Sequence, residues 1–214
     1  MRVRKKKWAQ SELSGNPLVL PEGAADKRPG MARLFERPES PLHLEIGCGK
    51  GRFIAETAAA SPGTNFVAME RDPTIVAQAA RLAREKGAPN IRFLIADADF
   101  LLDHALPGEV SRLYINFCDP WPTKKKRARR RLTHDRYIKM YEDLLIPEIF
   151  FKTDNRALFE FSLESFSRNG WLLSAVSLDL HNSGDCRDNV VTEYEEKFSA
   201  LGPIYRLEAR KRCG

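Results

Sequence analysis

Leu42-His-Leu-Glu-Ile46 followed by Gly47-Cys-Gly-Lys-Gly51 reads as a strand running into a glycine-rich turn, with a helix behind it to about Ala60. The pattern repeats on the C-terminal side. Thr64–Met69 is a second strand, after which Asp72 offers an N-cap and Pro73 a first helical residue. Ile75, Val76, Ala79, Leu82 and Ala83 follow at helical spacing to about Lys86. Ile91–Ala96 and Val110–Phe117 are a third and fourth strand, rich in β-branched and aromatic residues.

Further on, Thr133 is expected to cap a helix to about Leu145, and Ile149–Thr153 is a fifth strand. A helix over roughly 155–168 leads to a sixth strand, Trp171–Leu180. Residues 189–200 read as helical, and Ile204–Ala209 completes the sheet. Strands alternating with helices of this length predict right-handed βαβ units, hence an α/β, Rossmann-like domain with a doubly wound, mostly parallel sheet of about seven strands. The 214 residues suit one such domain, 41–214, and residues 1–40, with prolines at 17, 21, 29 and 38, read as an arm leading into it.

Between the first strand and the first helix, three glycines let the backbone turn tightly and approach a ligand. Dinucleotide enzymes favour GxGxxG facing a pyrophosphate; here Gly47, Gly49 and Gly51 form GxGxG, and Glu45 stands just before them. An acid there opposes a pyrophosphate and suits a ligand ammonium, such as the amino-acid end of S-adenosylmethionine. Glu70 closes the second strand, where an acid accepts from ribose hydroxyls, and Asp97 closes the third, where it accepts from an adenine amino group. Three acids at successive strand ends beside this loop predict an S-adenosylmethionine pocket.

The charge is unevenly placed. The chain carries +6, yet residues 123–139 hold nine Lys/Arg against Asp135 alone, a net +8. Residues 1–7 add five positive charges, so the remainder carries −7. An acidic body with concentrated basic elements fits a polyanionic partner. The central run follows Asn116-Phe-Cys-Asp-Pro-Trp-Pro122 directly, which puts Asp119 at the pocket mouth between a donor site and a polycation. Trp121 reads equally as a core aromatic or as a base-stacking platform. No apolar run approaches the roughly 18 residues needed to cross a bilayer, and the basic N-terminus lacks the apolar segment of a secretory signal. Cys48, Cys118, Cys186 and Cys213 form no CxxC pair, and His43, His104, His134 and His181 suggest no metal pair. A cytoplasmic protein with no metal and no membrane partner is expected, as a monomer or homodimer.

Taken together, Glu45–Gly51, Asn116–Pro122 with its trailing Arg-Arg-Leu-Thr133, Phe151-Lys-Thr-Asp-Asn155 and Thr192-Glu-Tyr-Glu-Glu-Lys-Phe198 resemble the bacterial tRNA (guanine-N7-)-methyltransferase family, over residues 42 to about 208. The resemblance implies a class I methyltransferase fold, S-adenosylmethionine as methyl donor, and tRNA as partner. It further implies methylation at N7 of guanine-46 in the variable loop. It places the donor on Glu45, Gly47, Gly49, Gly51, Glu70, Asp97 and Asp119, and the catalytic role on Asp119. Substrate contacts are implied for Lys124, Asp154, Thr192, Glu193, Tyr194 and Glu195. The chain departs from the family pattern in having Thr123 directly after DPWP, with the run one residue longer. It also has Leu145-Ile-Pro-Glu-Ile149 where a Pro-Gly-Gly turn is usual.

Rival readings share parts of this pattern. A small-molecule methyltransferase has no need of the basic run, and an NAD enzyme fits GxGxG after Glu45 poorly. A non-catalytic RNA binder on a methyltransferase scaffold would have lost donor acids that are all present here; an N7-methyltransferase acting on another RNA is the remaining alternative.

Overall fold

The computed structural model describes residues 7–20, 30–122, 125–184 and 189–211. Their strands are β1 (Leu42–Ile46), β2 (Asn65–Glu70), β3 (Ile91–Ile95), β4 (Val110–Asn116), β5 (Glu148–Thr153), β6 (Trp171–Ser177) and β7 (Tyr205–Lys211). They form one sheet in the order β3-β2-β1-β4-β5-β7-β6. The pairs from β3 through to β5 are parallel, whereas β7 runs antiparallel between β5 and β6. The helices are α1 (Lys7–Gly15), α2 (Arg52–Ala60), α3 (Pro73–Glu85), α4 (Leu101–His104), α5 (Lys125–Ala128), α6 (Asp135–Asp143), α7 (Arg156–Arg168) and α8 (Glu193–Phe198). The expected doubly wound α/β architecture is therefore present.

Alternation along the strands divides the core in two. On one face Phe66, Ala68, Ile91 and Phe93 pack under α2 and α3, whose Ala55, Ala58, Ala79, Ala80 and Ala83 allow close approach. On the other, Leu44, Val67, Leu113, Ile115 and Phe151 meet Ile138 and Tyr141 of α6 and Phe159 and Phe166 of α7. Each large side chain buried in this way stabilises the fold by about 1.5–3 kcal/mol. Asp72 caps α3 as expected, accepting from the Thr74 and Ile75 N–H groups, with Pro73 in the first turn.

Several boundaries differ from the sequence reading. Residues 7–20, within the stretch read as an arm, are built onto the domain. Glu12 of α1 pairs with Arg84 of α3 at 3.2 Å, and Val19 bridges Phe93 at the outer edge of β3. Thr133 does not cap α6. Its hydroxyl is buried against the Ser162 hydroxyl at 2.8 Å, and His134 caps instead, accepting from the Arg136 N–H. Strand β6 stops at Ser177, after its register against β7 breaks between Ser174 and Ser177 and Ala175 turns left-handed at φ +47°. Helix α8 is confined to 193–198 by its cap. Where a glycine turn was expected to be missing, Leu145 itself adopts the left-handed conformation, φ +54°, at the end of α6. Among the described residues no helix is long and apolar enough to cross a membrane.

Candidate active site

The chain lays down β1, β2 and β3 outward in one direction and then returns to place β4 on the other side of β1. The carboxyl ends of β1 and β4 therefore part at a topological switch point, where open α/β sheets bind ligands. Two clefts open there. One, of about 380 Å³, is lined by Gly47, Glu70, Asp97, Asp119 and Trp121 among others. The second, of about 490 Å³, lies against Glu45, Gly49, Asn116 and Tyr194. Gly47 and Phe117 border both, so one turn and one aromatic ring separate them.

Glu45 is buried at the end of β1. Its Oε1 accepts from Asn116 Nδ2 at 2.8 Å, while Oε2 is buried with no partner among the described residues. Burial pushes its carboxyl up to about 7, against the pull of Asn116 and the Lys152 ammonium. A buried carboxylate oxygen without a donor is costly, and a ligand ammonium would supply what it lacks. The loop beyond it fits the same ligand. Gly47 and Gly49 have φ of +78° and +54°, and a Cβ on either would meet open space along the cleft. Gly51, at φ +83°, serves packing instead. A Cβ there would come within 2.6 Å of Ala79 Cβ, so this glycine lets α2 start against α3.

The other acids expected at the donor site take their places from strand ends. Glu70 Oε1 accepts from the backbone N–H groups of Arg71 and Asp72 at 2.8 and 3.0 Å, leaving Oε2 without a protein donor among the described residues. Asp97 caps a short turn, its Oδ1 accepting from Asp99 N–H at 3.1 Å. Asp119 is largely exposed at the cleft rim, 3.8 Å from Arg71. It is aimed there by Phe117, a non-glycine residue at φ +51° whose N–H donates to the Lys152 carbonyl at 2.9 Å. Holding a bulky residue left-handed costs about 1–2 kcal/mol, and such strain is characteristic of functional turns.

The expected substrate residues divide into two groups. Tyr194 and Asp154 reach the surface of the cleft region, where the Tyr194 hydroxyl donates to Asp154 Oδ2 at 3.3 Å. The Tyr194 ring lies 5.1 Å from Phe117 and 4.1 Å from Phe198, so three aromatic rings stand in a row. Glu193 lines the same cleft. Thr192 and Glu195 instead face inward and form a capping box for α8: the Thr192 hydroxyl accepts from Glu195 N–H at 2.9 Å. Glu195 is fully buried; Lys152 and Asn189 donate to its carboxylate at 2.8 and 2.6 Å, and His181 Nε2 lies 3.0 Å from Oε1. Burial pushes that carboxyl up, but Lys152, Asn189 and the Thr192 N–H outweigh it and hold it below the ordinary range. A carboxylate so satisfied has no free oxygen to offer a base.

The basic run is less uniform than its composition. Lys124 lies outside the described residues, as do Cys186 and Cys213. Arg127, Arg129 and Arg130 are exposed, and the Arg130 guanidinium lies 4.8 Å over the Trp121 ring. Trp121 is half-buried and lines the first cleft. Arg131, however, is buried; Arg136 pairs with Asp99, and Lys139 with Asp143 at 2.7 Å. Sequence reasoning also missed Asn116, Lys152, Asn189 and Phe117. A lysine closing an apolar central strand in Phe150-Phe-Lys152 was the one available signal. Among the described residues no group of three His, Cys, Asp or Glu is placed to hold a metal ion.

Comparison with known proteins agrees with this geometry. A family model described as "Putative methyltransferase" matches residues 39–207. The chain is 46% identical over 215 residues to the tRNA (guanine-N(7)-)-methyltransferase of Bacillus subtilis (strain 168), covering 99% of this chain and all of that one. It is 46% identical over 213 residues to the enzyme of the same name from Listeria monocytogenes serovar 1/2a, covering 98% of each. In fold it is similar to the 16S rRNA methyltransferase KamB, with TM-score 0.58 and 17% identity over 81% of this chain and 89% of that one. The chain belongs to the tRNA (guanine-N(7)-)-methyltransferase family of S-adenosylmethionine-dependent enzymes.

Proposed function

We propose that the chain transfers a methyl group to N7 of a guanine in tRNA, at guanine-46 of the variable loop as the family resemblance implies. The observation that carries this reading is the turn at Phe117. It sets Asp119 at the rim of a cleft equipped for the donor and leads straight into the exposed Arg127, Arg129 and Arg130.

S-adenosylmethionine, when bound, supplies an electrophilic methyl group on a sulfonium. In this reading Glu45 Oε2 receives its ammonium, Glu70 its ribose hydroxyls and Asp97 its adenine amino group, while Gly47 and Gly49 keep the cleft clear. Guanine N7 carries an in-plane lone pair and no proton, so no general base is required. What remains for the protein is orientation at near-attack distance. The stack of Phe117, Tyr194 and Phe198 lines the second cleft with aromatic edges and one outer face against which an extruded base can pack, with Asp154 held beside it through the Tyr194 hydroxyl. Methylation makes the purine cationic and its Watson–Crick edge a stronger donor. Asp119, facing that edge, stabilises the charge more as it develops than before, which raises turnover. Thr192 and Glu195 serve by fixing α8, and Lys124 with the exposed arginines serves to hold phosphates.

Incubation with methyl-labelled S-adenosylmethionine and unmodified tRNA, followed by chain scission at 7-methylguanine, tests the reading. Label at one variable-loop guanine is expected; label confined to ribosomal RNA, or none, would overturn it.

A further inference from the structure

Arg131 stands in the middle of the polycation yet is 2% exposed, while its neighbours Arg129 and Arg130 reach solvent. Its Nε donates to the Trp121 carbonyl at 2.9 Å, and its guanidinium lies 4.5 Å over the Phe161 ring of α7. Nη1 is buried with no partner among the described residues. A methionine or leucine would fill this space without the desolvation cost of a guanidinium, so core packing alone does not account for an arginine. What the guanidinium adds is a bond to one main-chain carbonyl, two residues beyond Asp119.

That bond ties Trp121 to Arg131, and the chain is anchored just outside both of them. At the first end the Phe117 N–H is held by the Lys152 carbonyl at 2.9 Å. At the second, the Leu132 carbonyl accepts from the Tyr141 hydroxyl at 3.0 Å, and Thr133 bonds Ser162 at 2.8 Å. The exposed Arg127, Arg129 and Arg130 ride on this loop, and Asp119 and Trp121 form its inner edge along the donor cleft. A phosphate pulling on the outer arginines would swing an untied loop away from the cleft; the Arg131–Trp121 bond resists that movement.

We infer that Arg131 is a positioning residue for methyl transfer, not an RNA contact: it holds the Asp119–Trp121 edge in place while its neighbours bind phosphate. This rests on the role proposed above for Asp119. Three variants, Arg131→Met, Arg131→Lys and Arg129→Gln, are compared with the parent. Single-turnover methylation is measured at saturating S-adenosylmethionine and tRNA, and tRNA affinity across a salt series.

Arg131→Met lowers the single-turnover rate constant by about 10²-fold, the scale of a 1 Å misplacement, and leaves the salt slope of tRNA binding unchanged. Arg131→Lys, whose ammonium still reaches the Trp121 carbonyl, regains at least about tenfold of that loss. Arg129→Gln flattens the slope by about 0.7–0.9, as removal of one phosphate contact should. A purely structural role would reduce the amplitude, which counts folded enzyme, and not the rate constant. If Arg131→Met does not fold, a lowered rate constant at unaltered slope in Arg131→Lys supports the inference. A slope reduced by about one unit in either Arg131 variant, or parental rate constants in every Arg131 variant that folds, would overturn it. An inactive parent would instead sink the functional reading, so the two failures are distinguishable.

Discussion

Lys152 Nζ lies 2.8 Å from Glu195 Oε2 with both side chains out of water, so the end of β5 is joined to α8 by a buried ion pair. Lys152 also donates to Asn189 Oδ1 and the Val190 carbonyl at 2.8 and 3.0 Å. The pair thus gathers the whole segment that carries Tyr194 to the cleft. Burial pulls the Lys152 ammonium below its usual value, and Glu195 opposes that pull. Removing one partner strands a charge. Glu195→Gln is expected to destabilise the protein by about 3–5 kcal/mol, and Lys152→Met with Glu195→Gln to recover part of that loss. Chemical denaturation of the two single variants and the double variant checks this; a double variant destabilised by the full sum of the two single losses would show that the pair is not coupled.

Asp119 is expected to act through charge. Asp119→Ala should lose about 10²–10³-fold in methyl transfer, the scale of one oriented stabilising group. Asp119→Asn should also be badly impaired, because it keeps the shape and loses the charge. Single-turnover rates at saturating donor are the measurement, and near-parental values in both would place the catalytic role elsewhere.

Glu45 gives the donor site a proton signature. Its folded carboxyl lies at about 7, above the ordinary value, so it is mostly protonated at pH 6. A raised carboxyl stabilises the ligand-free fold fully below its unfolded value, and this contribution is lost as pH rises through about 7. A donor ammonium favours the ionised form. S-adenosylmethionine binding at pH 6 is therefore expected to release close to one proton, and Glu45→Gln to release none. Calorimetry in buffers of different ionisation enthalpy reads this directly.

Salt should weaken tRNA binding steeply. Of the nine cations in 123–139, Arg131 is buried and Arg136 and Lys139 are paired, so at most six are available to phosphates. Six phosphate contacts give a slope of log K against log salt of about −4 to −5. Replacing Arg129 and Arg130 together by Gln should flatten it by up to about two units. Binding indifferent to salt would rule out this electrostatic account.

Leu145 offers a stabilising change. It is 65% exposed and sits at φ +54° just past α6. Glycine would relieve about 1–2 kcal/mol of left-handed strain at a cost of about 0.5–1 kcal/mol in chain entropy. Leu145→Gly is thus expected to gain up to about 1.5 kcal/mol, measured as a raised denaturation midpoint; a lowered midpoint would show that its side chain packs usefully.

The sequence by itself determined the βα alternation, the cap at Asp72 and the acids at the strand ends. Strand and helix periods are local, and a parallel sheet necessarily brings successive strand ends to one rim, so Glu45, Glu70, Asp97 and Asp119 stand along that rim once the strands are recognised, Glu45 at one cleft and the other three at its neighbour. Tertiary structure decided which side chains are free to act. Lys152 and Glu195 lie 43 residues apart in the chain, and only the insertion of β7 between β5 and β6, with α8 folded back against β5, makes them partners. Composition counted Arg131 with the polycation, and the capping preference of threonine pointed to Thr133, but burial against α7 turned both inward. Charge and propensity belong to a residue; direction and solvation belong to its surroundings, and those exist only after the chain has folded.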